Sequence, residues 1–482
     1  MPTSLLNLVG GEFVAARDGG WLEVTDPATA GDVVGRVPAM TAAELPAVFD
    51  AASAGARAWR ATNPIERGKV LYRAAALVRE QAADLTALIV SEMGKTKAEA
   101  GGEVGKVAEF LEYYAGLCRL PFGDLLPDAR PGTFAQVVRE PLGVVVLITP
   151  WNDPFLTPAR KLAPALAAGN AVVLKPASET PLIMLRFAAI LHTAGLVPGA
   201  LNTVTGRGSE IGDALVEDSR IRAVSFTGST EVGLGVQRKL AGTGVRVQTE
   251  MGGKNAAVVL DDADLDHAVS IIAAGSFGQA GQRCTATSRL IVQRAVASTV
   301  REKLRDAVAA LRVGPGTEDG VDLGPVVSDR AQADIERRVE AAVAEGAELV
   351  VRTELPERAR TGAFVAPALL ETTRDNSIWR EEVFGPVLGM LVVDSLDEAI
   401  ELVNDSAYGL SSAVFTRSLE AAHRFVDAVD TGQVSVNQPT SGWDVHHPFG
   451  GFKDSGSPFK EQGLEALRFY TRVKTAAIRS AL

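Results

Sequence analysis

The stretch from 143 to 250 carries GVVVLIT (143–149), AVVLK (171–175), LNTVT (201–205), AVSFT (223–227) and VRVQTE (245–250). Each is a short apolar strand, and helical sequence fills the gaps. Thr180-Pro181 reads as a helix start, with Thr as N-cap and Pro at the first helical position, and Gly195 closes that helix. Strands that alternate with helices imply a parallel sheet covered on both faces, an α/β fold. In such a sheet ligands belong at the carboxyl ends of the strands.

Working outward, residues 47–118 read as mostly helical, with a break at Pro64. Residues 121–133 are rich in Pro, Gly and Asp and read as a connector, followed by an exposed strand at Phe134–Arg139. A second alternating region spans about 254–447: SRLIVQ (288–293), helices at 295–312 and 330–345, and the strands ELVV (348–351), PVLGMLVV (386–393) and SSAVFT (411–416). The tail FYTRVKTAAIRS (469–480) reads as a strand able to pair with 134–139.

The 482 residues favour more than one domain. Lys+Arg total 48 against 59 Asp+Glu, a net charge of -11, which weighs against a nucleic-acid binder. The longest apolar run, Leu142 to Ile148, is too short to span a bilayer, and the first residues lack the basic segment of a signal peptide. Cys118 and Cys284 are too few for a disulfide framework, and no metal-ligand spacing occurs. A reducing cytoplasm, no metal, and no nucleic-acid or membrane partner are the expectations.

Four places carry candidate chemistry. Cys284 in GQAGQRCTA is flanked by small residues and preceded by Arg283, whose charge would favour a thiolate; a buried structural Cys is the competing reading. Glu250 ends a strand beside two glycines, where a carboxylate can activate water or simply sit in a turn. Asn152 in PWNDP has amide donors suited to an oxyanion, or to a Pro-bounded turn. FTGSTEVG (226–233) closes a strand and opens a helix, a setting for phosphate. Gly206, Gly208 and Gly212 are spaced one residue too widely for the dinucleotide fingerprint.

Taken together, these motifs resemble the aldehyde dehydrogenase superfamily over nearly the whole chain. The matching segments are TPWNDP, AAGNAVVLKPASETP, FTGSTEVG, EMGGKN, GQAGQRCTA, EEVFGPV, YGLSSAVFT and HPFGGFKDSG…KEQG…YTRVK, in that order. The resemblance implies an aldehyde-dehydrogenase-like fold: two doubly wound α/β domains and a small β oligomerisation arm. A dinucleotide-binding domain would take 1–120 and 142–252, a catalytic domain 253–450, and the arm 121–141 with 465–482. It implies Cys284 as nucleophile, Glu250 as general base, and Asn152 as oxyanion amide alongside the Cys284 backbone N–H. Trp151, Lys175, Ser178, Gly208, Gly228, Ser229, Gly233, Glu382 and Phe384 would hold NAD or NADP. It also implies oxidation of an aldehyde to an acid through a cysteine thiohemiacetal and thioester, no metal, and a homodimer or homotetramer. A non-catalytic binding or structural relative would have no need of the Cys284, Glu250 and Asn152 trio.

Several positions depart from the family pattern. Ser178 stands where a ribose-binding Glu is common, with Glu179 next, so the charge barrier against NADP is weakened while NAD remains favoured. Asp153 and Arg160 replace an aromatic residue and a Trp. On a helix through 153–168 they would share the face lining the substrate funnel, either paired to each other or with Arg160, helped by Arg283, free for an anionic substrate group. Arg160 matches an arginine of succinate-semialdehyde dehydrogenases. NQPTSGWDVHHPFGG (437–451) resembles the funnel-mouth loop of α-ketoglutarate-semialdehyde dehydrogenases, with His446 and His447 as contacts or plain surface. The KEQG ending (460–463) departs from the commoner form and carries no assignment.

Overall fold

Period-two burial builds the first sheet. Along Val144–Ile148, Val145 and Leu147 enter one core cluster while Val144 and Val146 enter another, so both faces are covered and the strand reads as continuously apolar. The structure, a computed structural model, describes residues 3–120 and 123–479. The first sheet has five parallel strands in the spatial order Leu201–Thr203, Ala171–Lys175, Val144–Ile148, Ile221–Thr227, Arg246–Glu250. The order reverses between Val144–Ile148 and Ile221–Thr227, which makes that crevice the topological switch point.

The second sheet has seven strands. Asn255–Val259 and Thr287–Gln293 lie at its centre, Val387–Val393 and Ala368–Glu371 on one side, Ser411–Phe415 and Gln433–Val436 on the other. Only the edge strand Glu348–Arg352 runs antiparallel. Its alternation is the same: Ala257 and Val259 face one core, Ala256 and Val258 the other.

The helices expected over 47–118 are Leu45–Ala61, Pro64–Glu80, Ala82–Met93 and Lys97–Leu117, packed on the first sheet. Residues 3–38 add a small sheet and a hairpin that the hydropathy pattern did not reveal. The connector at 121–133 contains a strand, Gly123–Leu126, which pairs with Thr133–Pro141. Thr471–Arg479 runs antiparallel along the other side of Thr133–Pro141, as the tail's pattern indicates, with Val473 opposite Arg139. Positions 121–122 and 480–482 of the expected arm lie outside the described residues.

Thr180 does not cap its helix. The helix begins at Leu182, Thr180 Oγ1 donates to the Trp151 carbonyl at 3.3 Å, and the buried Glu92 accepts the first amides, Leu182 and Ile183, both at 2.9 Å. A carboxylate on another helix thus replaces the local cap and satisfies the orphan donors.

Candidate active site

The carboxyl ends of the first sheet open into a cavity of about 790 Å³, and residues from the second sheet's side close it. Its wall contains Asn152, Glu250 and Cys284 together, with Trp151, Gly228, Ser229, Glu382 and Phe384 on the crevice side and Asp153, Arg160 and Arg283 on the other. Lys175, Ser178, Gly208 and Gly233 are not part of this wall. Lys175 ends its strand buried and donates to the Pro176 carbonyl at 3.1 Å; burial lowers its pKa, opposed by Glu179. Ser178 Oγ donates to Gly206 O at 3.3 Å, Gly208 opens the helix Gly208–Glu217, and Gly233 packs tightly on Met251.

Asn152 sits in the turn after Val144–Ile148. It is buried, and its Nδ2 donates one bond, at 3.0 Å, to the Gln282 carbonyl. The amide has a second N–H. The helix after this turn starts at Leu156, not 153, and has no side-chain cap of its own. Glu103 supplies one from the helix Lys97–Leu117, accepting from Phe155 N at 2.9 Å and Leu156 N at 2.8 Å. Glu103 also meets the buried Lys95 at 2.6 Å, and Lys95 holds Asp153 at 2.7 Å. Burial works against the Lys95 charge, yet Asp153 and Glu103 together hold its pKa above the ordinary value.

Asp153 and Arg160 therefore do not form a pair; no ion pair joins them among the described residues, because Lys95 has taken the carboxylate. Arg160 Nη1 lies 3.8 Å from Glu461 Oε2, and its guanidinium stacks 4.7 Å from the Phe449 ring centre. Glu461 Oε1 is bonded to Lys161, which also donates to Ser225 Oγ at 2.8 Å, while Oε2 has no hydrogen-bond partner among the described residues. The KEQG segment thus supplies a buried acid to the site's floor, and Gln462 joins the cavity wall. Neither was recoverable from the sequence alone, since a lone Glu or Lys is read as surface by default. His446 and His447 are exposed, whereas Trp443 and Phe449 of the same loop line the cavity.

Cys284 follows a left-handed turn and is partly exposed; its carbonyl accepts from Asn255 Nδ2 at 2.8 Å. Its thiol pKa is pushed up to about 12, by burial first, with Arg160 pulling the other way. Burial raises the Glu250 pKa well above the ordinary range, Glu461 adds to the rise, and Gln248 Nε2 donates to Glu250 Oε1 at 2.9 Å. A thiol and a carboxyl whose pKa values are both raised, lining one cavity, are groups suited to proton transfer in acyl chemistry once ionised.

The crevice side fits a dinucleotide. Thr149 Oγ1 and Thr227 Oγ1 are buried at the switch point with no hydrogen-bond partner among the described residues. Ser229 is the N-cap of the helix Thr230–Leu240 but its hydroxyl makes no capping bond. Burial pushes the Glu382 pKa to about 7; its Oε1 accepts from Gly253 N at 2.9 Å. Trp151 and Phe384 stand edge to face, centroids 5.3 Å apart. Among the described residues no group of acids, histidines and cysteines could hold a metal, and no helix is long and apolar enough to cross a membrane.

Residues 13–476 match the aldehyde dehydrogenase family. The chain belongs to that family. This aldehyde dehydrogenase is 42% identical over 473 residues to an alpha-ketoglutarate semialdehyde dehydrogenase of Haloferax volcanii, covering 97% of this chain and 98% of that one. It is 38% identical over 477 residues to the alpha-ketoglutaric semialdehyde dehydrogenase of Bacillus subtilis, covering 98% of each. The crystal structure of an NAD-dependent aldehyde dehydrogenase from Sinorhizobium meliloti superposes with a TM-score of 0.96 at 34% identity, over 99% of this chain and 95% of that one. The enzyme is thus an NAD(P)-dependent oxidoreductase that converts an aldehyde to a carboxylic acid.

Proposed function

We propose that this aldehyde dehydrogenase oxidises a semialdehyde bearing a distal carboxylate, of the α-ketoglutarate- or succinate-semialdehyde kind, with Cys284, Glu250 and Asn152 as catalytic residues. The observation that carries the substrate class is Arg160: a largely buried guanidinium at the cavity wall, 3.8 Å from Glu461 Oε2 and so beyond hydrogen-bond reach of an acid whose Oε1 is engaged by Lys161. A neutral amide, Gln462 Oε1, accepts from Arg160 Nε at 3.0 Å, which leaves the guanidinium charge itself unmatched at close range, and an anionic ligand relieves the cost of burying it. Arg283, on the same wall, adds a second positive charge. The relatives' names and the resemblance of the 437–451 loop point the same way.

In this reading the Cys284 proton is lost to solvent at the open cavity, and the thiolate Sγ attacks the aldehyde carbon, forming a C–S bond as the C=O π bond breaks. The carbonyl electron pair moves to oxygen, where the Asn152 amide and the Cys284 backbone N–H donate hydrogen bonds; such a donor is worth about 3–4 kcal/mol. The contribution of a bound nicotinamide is hydride acceptance, which leaves an acyl group on Cys284. Glu250, in its ionised form, then takes a proton from water, the water oxygen attacks the thioester, the C–S bond breaks, and the Cys284 thiolate leaves with the acid as product. Thr149, Thr227, Ser229, Lys175, Trp151, Glu382 and Phe384 would hold the dinucleotide at the switch point. Ser178 at the ribose end leaves NADP tolerated while NAD is preferred. Gly208, Gly228 and Gly233 act through backbone approach and packing.

Residues 1–120 with 142–252 form the cofactor domain in this scheme, and 253–450 the catalytic domain. The arm, 121–141 with 465–482, carries exposed Leu125, Leu126, Phe134, Val473 and Ile478, which supports burial against another copy in a homodimer or homotetramer. Two free cysteines fit a cytoplasmic location. The deciding experiment is a panel of semialdehydes and uncharged aldehydes with NAD and NADP, followed by reduced-cofactor absorbance. A clear preference for the carboxylate-bearing members is expected; indifference to that group overturns the substrate class.

A further inference from the structure

Just before Cys284 the backbone enters the left-handed region three times running, at Gln279 (φ 56°), Ala280 (φ 53°) and Gly281 (φ 69°). Side chains seldom occupy that region, and two in succession need support from outside. Gln279 provides it. Its backbone N–H donates to Glu99 Oε1 at 2.5 Å, and its side chain is buried, 3% exposed. Gln279 Nε2 donates to the Asn152 carbonyl at 2.5 Å, with Asp153 Oδ1 at 3.3 Å. Gln279 Oε1 accepts from Arg283 Nε at 2.9 Å. One amide therefore touches the peptide of Asn152 through its donor end and the guanidinium of Arg283 through its acceptor end.

We propose that Gln279 is a positioning residue for both ends of the bound aldehyde: through Asn152 it fixes the amide that meets the alkoxide, and through Arg283 it fixes a cation that meets the distal carboxylate. This rests on the roles given above to Asn152 and Arg283. The geometry gives the amide a specific task. Arg283 Nε is used for the clamp, so the terminal nitrogens stay available to the cavity, and their plane is set by Gln279. Asn152 is held at two points, Nδ2 on Gln282 O and carbonyl on Gln279 Nε2, so its remaining N–H has a defined direction. Glu99 joins this turn to the helix Lys97–Leu117, the same helix whose Glu103 caps Leu156. The two ends of the site are thus referenced to one rigid element.

The test is Gln279→Met, which keeps length and removes the amide, beside Gln279→Gly, which accepts the positive φ without strain and so separates loss of the amide from loss of the turn. Each full-length variant is assayed for kcat and KM on a carboxylate semialdehyde and on an uncharged aldehyde of equal chain length. In both variants kcat on the uncharged aldehyde falls about tenfold through displacement of Asn152, and KM for the semialdehyde alone rises about tenfold. Unchanged kcat overturns the Asn152 half. A KM that rises equally for both aldehydes reports cavity shape only and overturns the Arg283 half. Wild-type enzyme with no preference for the semialdehyde overturns the Arg283 half together with the substrate class, while the kcat loss on the uncharged aldehyde still supports the link to Asn152. Full activity in Asn152→Ala overturns the oxyanion assignment itself and with it the Asn152 half.

Discussion

Replacing Arg160 by leucine tests the substrate class most directly. The side chain is 14% exposed and has four neighbours of consequence: Gln462 Oε1 at 3.0 Å from Nε, Glu461 at 3.8 Å, the Phe449 ring at 4.7 Å, and the cavity. Glu461 keeps its Oε1 bond to Lys161 after the change, and Oε2, which makes no hydrogen bond among the described residues, loses only the 3.8 Å approach of Arg160. Asp153 keeps Lys95. Leucine preserves apolar contact with Phe449 and forfeits the cation–π part, about 0.5–1 kcal/mol, together with the hydrogen bond to Gln462 Oε1, about 0.5–1.5 kcal/mol. The melting temperature should therefore move little. A substrate carboxylate loses a charge-assisted hydrogen bond of roughly 1.5–3 kcal/mol, equivalent to about ten- to a hundredfold in kcat/KM. An uncharged aldehyde of the same length loses almost nothing. Steady-state kinetics on the two aldehydes, with a thermal melt of the variant, give the comparison. Equal losses on both, with a lowered melting temperature, would show that Arg160 serves the fold and refute the assignment.

Three further outcomes are expected. Glu250→Gln retains a burst of reduced cofactor but little steady turnover. In wild type, steady turnover climbs with pH above the ordinary carboxylate range, because the buried acid must ionise to act, and that limb vanishes in the variant; stopped-flow and pH profiles check this. Ser178→Glu raises the NAD-over-NADP ratio of kcat/KM several-fold by repelling a 2′-phosphate, and an unchanged ratio removes Ser178 from cofactor choice. Burial pushes the Glu92 pKa to about 8, so its stabilising contribution is complete below the ordinary pKa of 4.5 and is lost as pH rises through about 8. The melting temperature of Glu92→Gln should gain on wild type between pH 5 and 8, whatever the offset from one lost helix-cap acceptor; a flat difference would mean that Glu92 ionises normally.

The strands and the reactive trio were legible because they are local. GVVVLIT and AVVLK announce themselves by apolarity, and Cys284, Glu250 and Asn152 sit in short motifs at strand ends. The partners were not legible. Lys95, Glu103, Lys161 and Glu461 look like helix-surface charges, and only the fold shows that they pair inside it. The Asp153–Arg160 expectation failed for the same reason: spacing describes one helix, while Lys95 reaches Asp153 from another. Thr180 offered a satisfactory cap on sequence grounds and lost to Glu92, about ninety positions earlier in the chain. Gln279 carried no signal, since its importance lies in a backbone conformation that its residue type does not announce.

The union of Lys161 with Glu461 spans 300 positions of sequence, and it has a consequence for biosynthesis. A nascent chain has made both domains' central strands long before Glu461 leaves the ribosome. Until then Lys161 has only the neutral Ser225 Oγ and Gln248 Oε1 of the first sheet as partners, and its counter-charge is missing. Late arrival of KEQG therefore makes the floor beneath Glu250 one of the last parts to be completed, and chains ending short of it are expected to be more sensitive to protease than the full-length polypeptide.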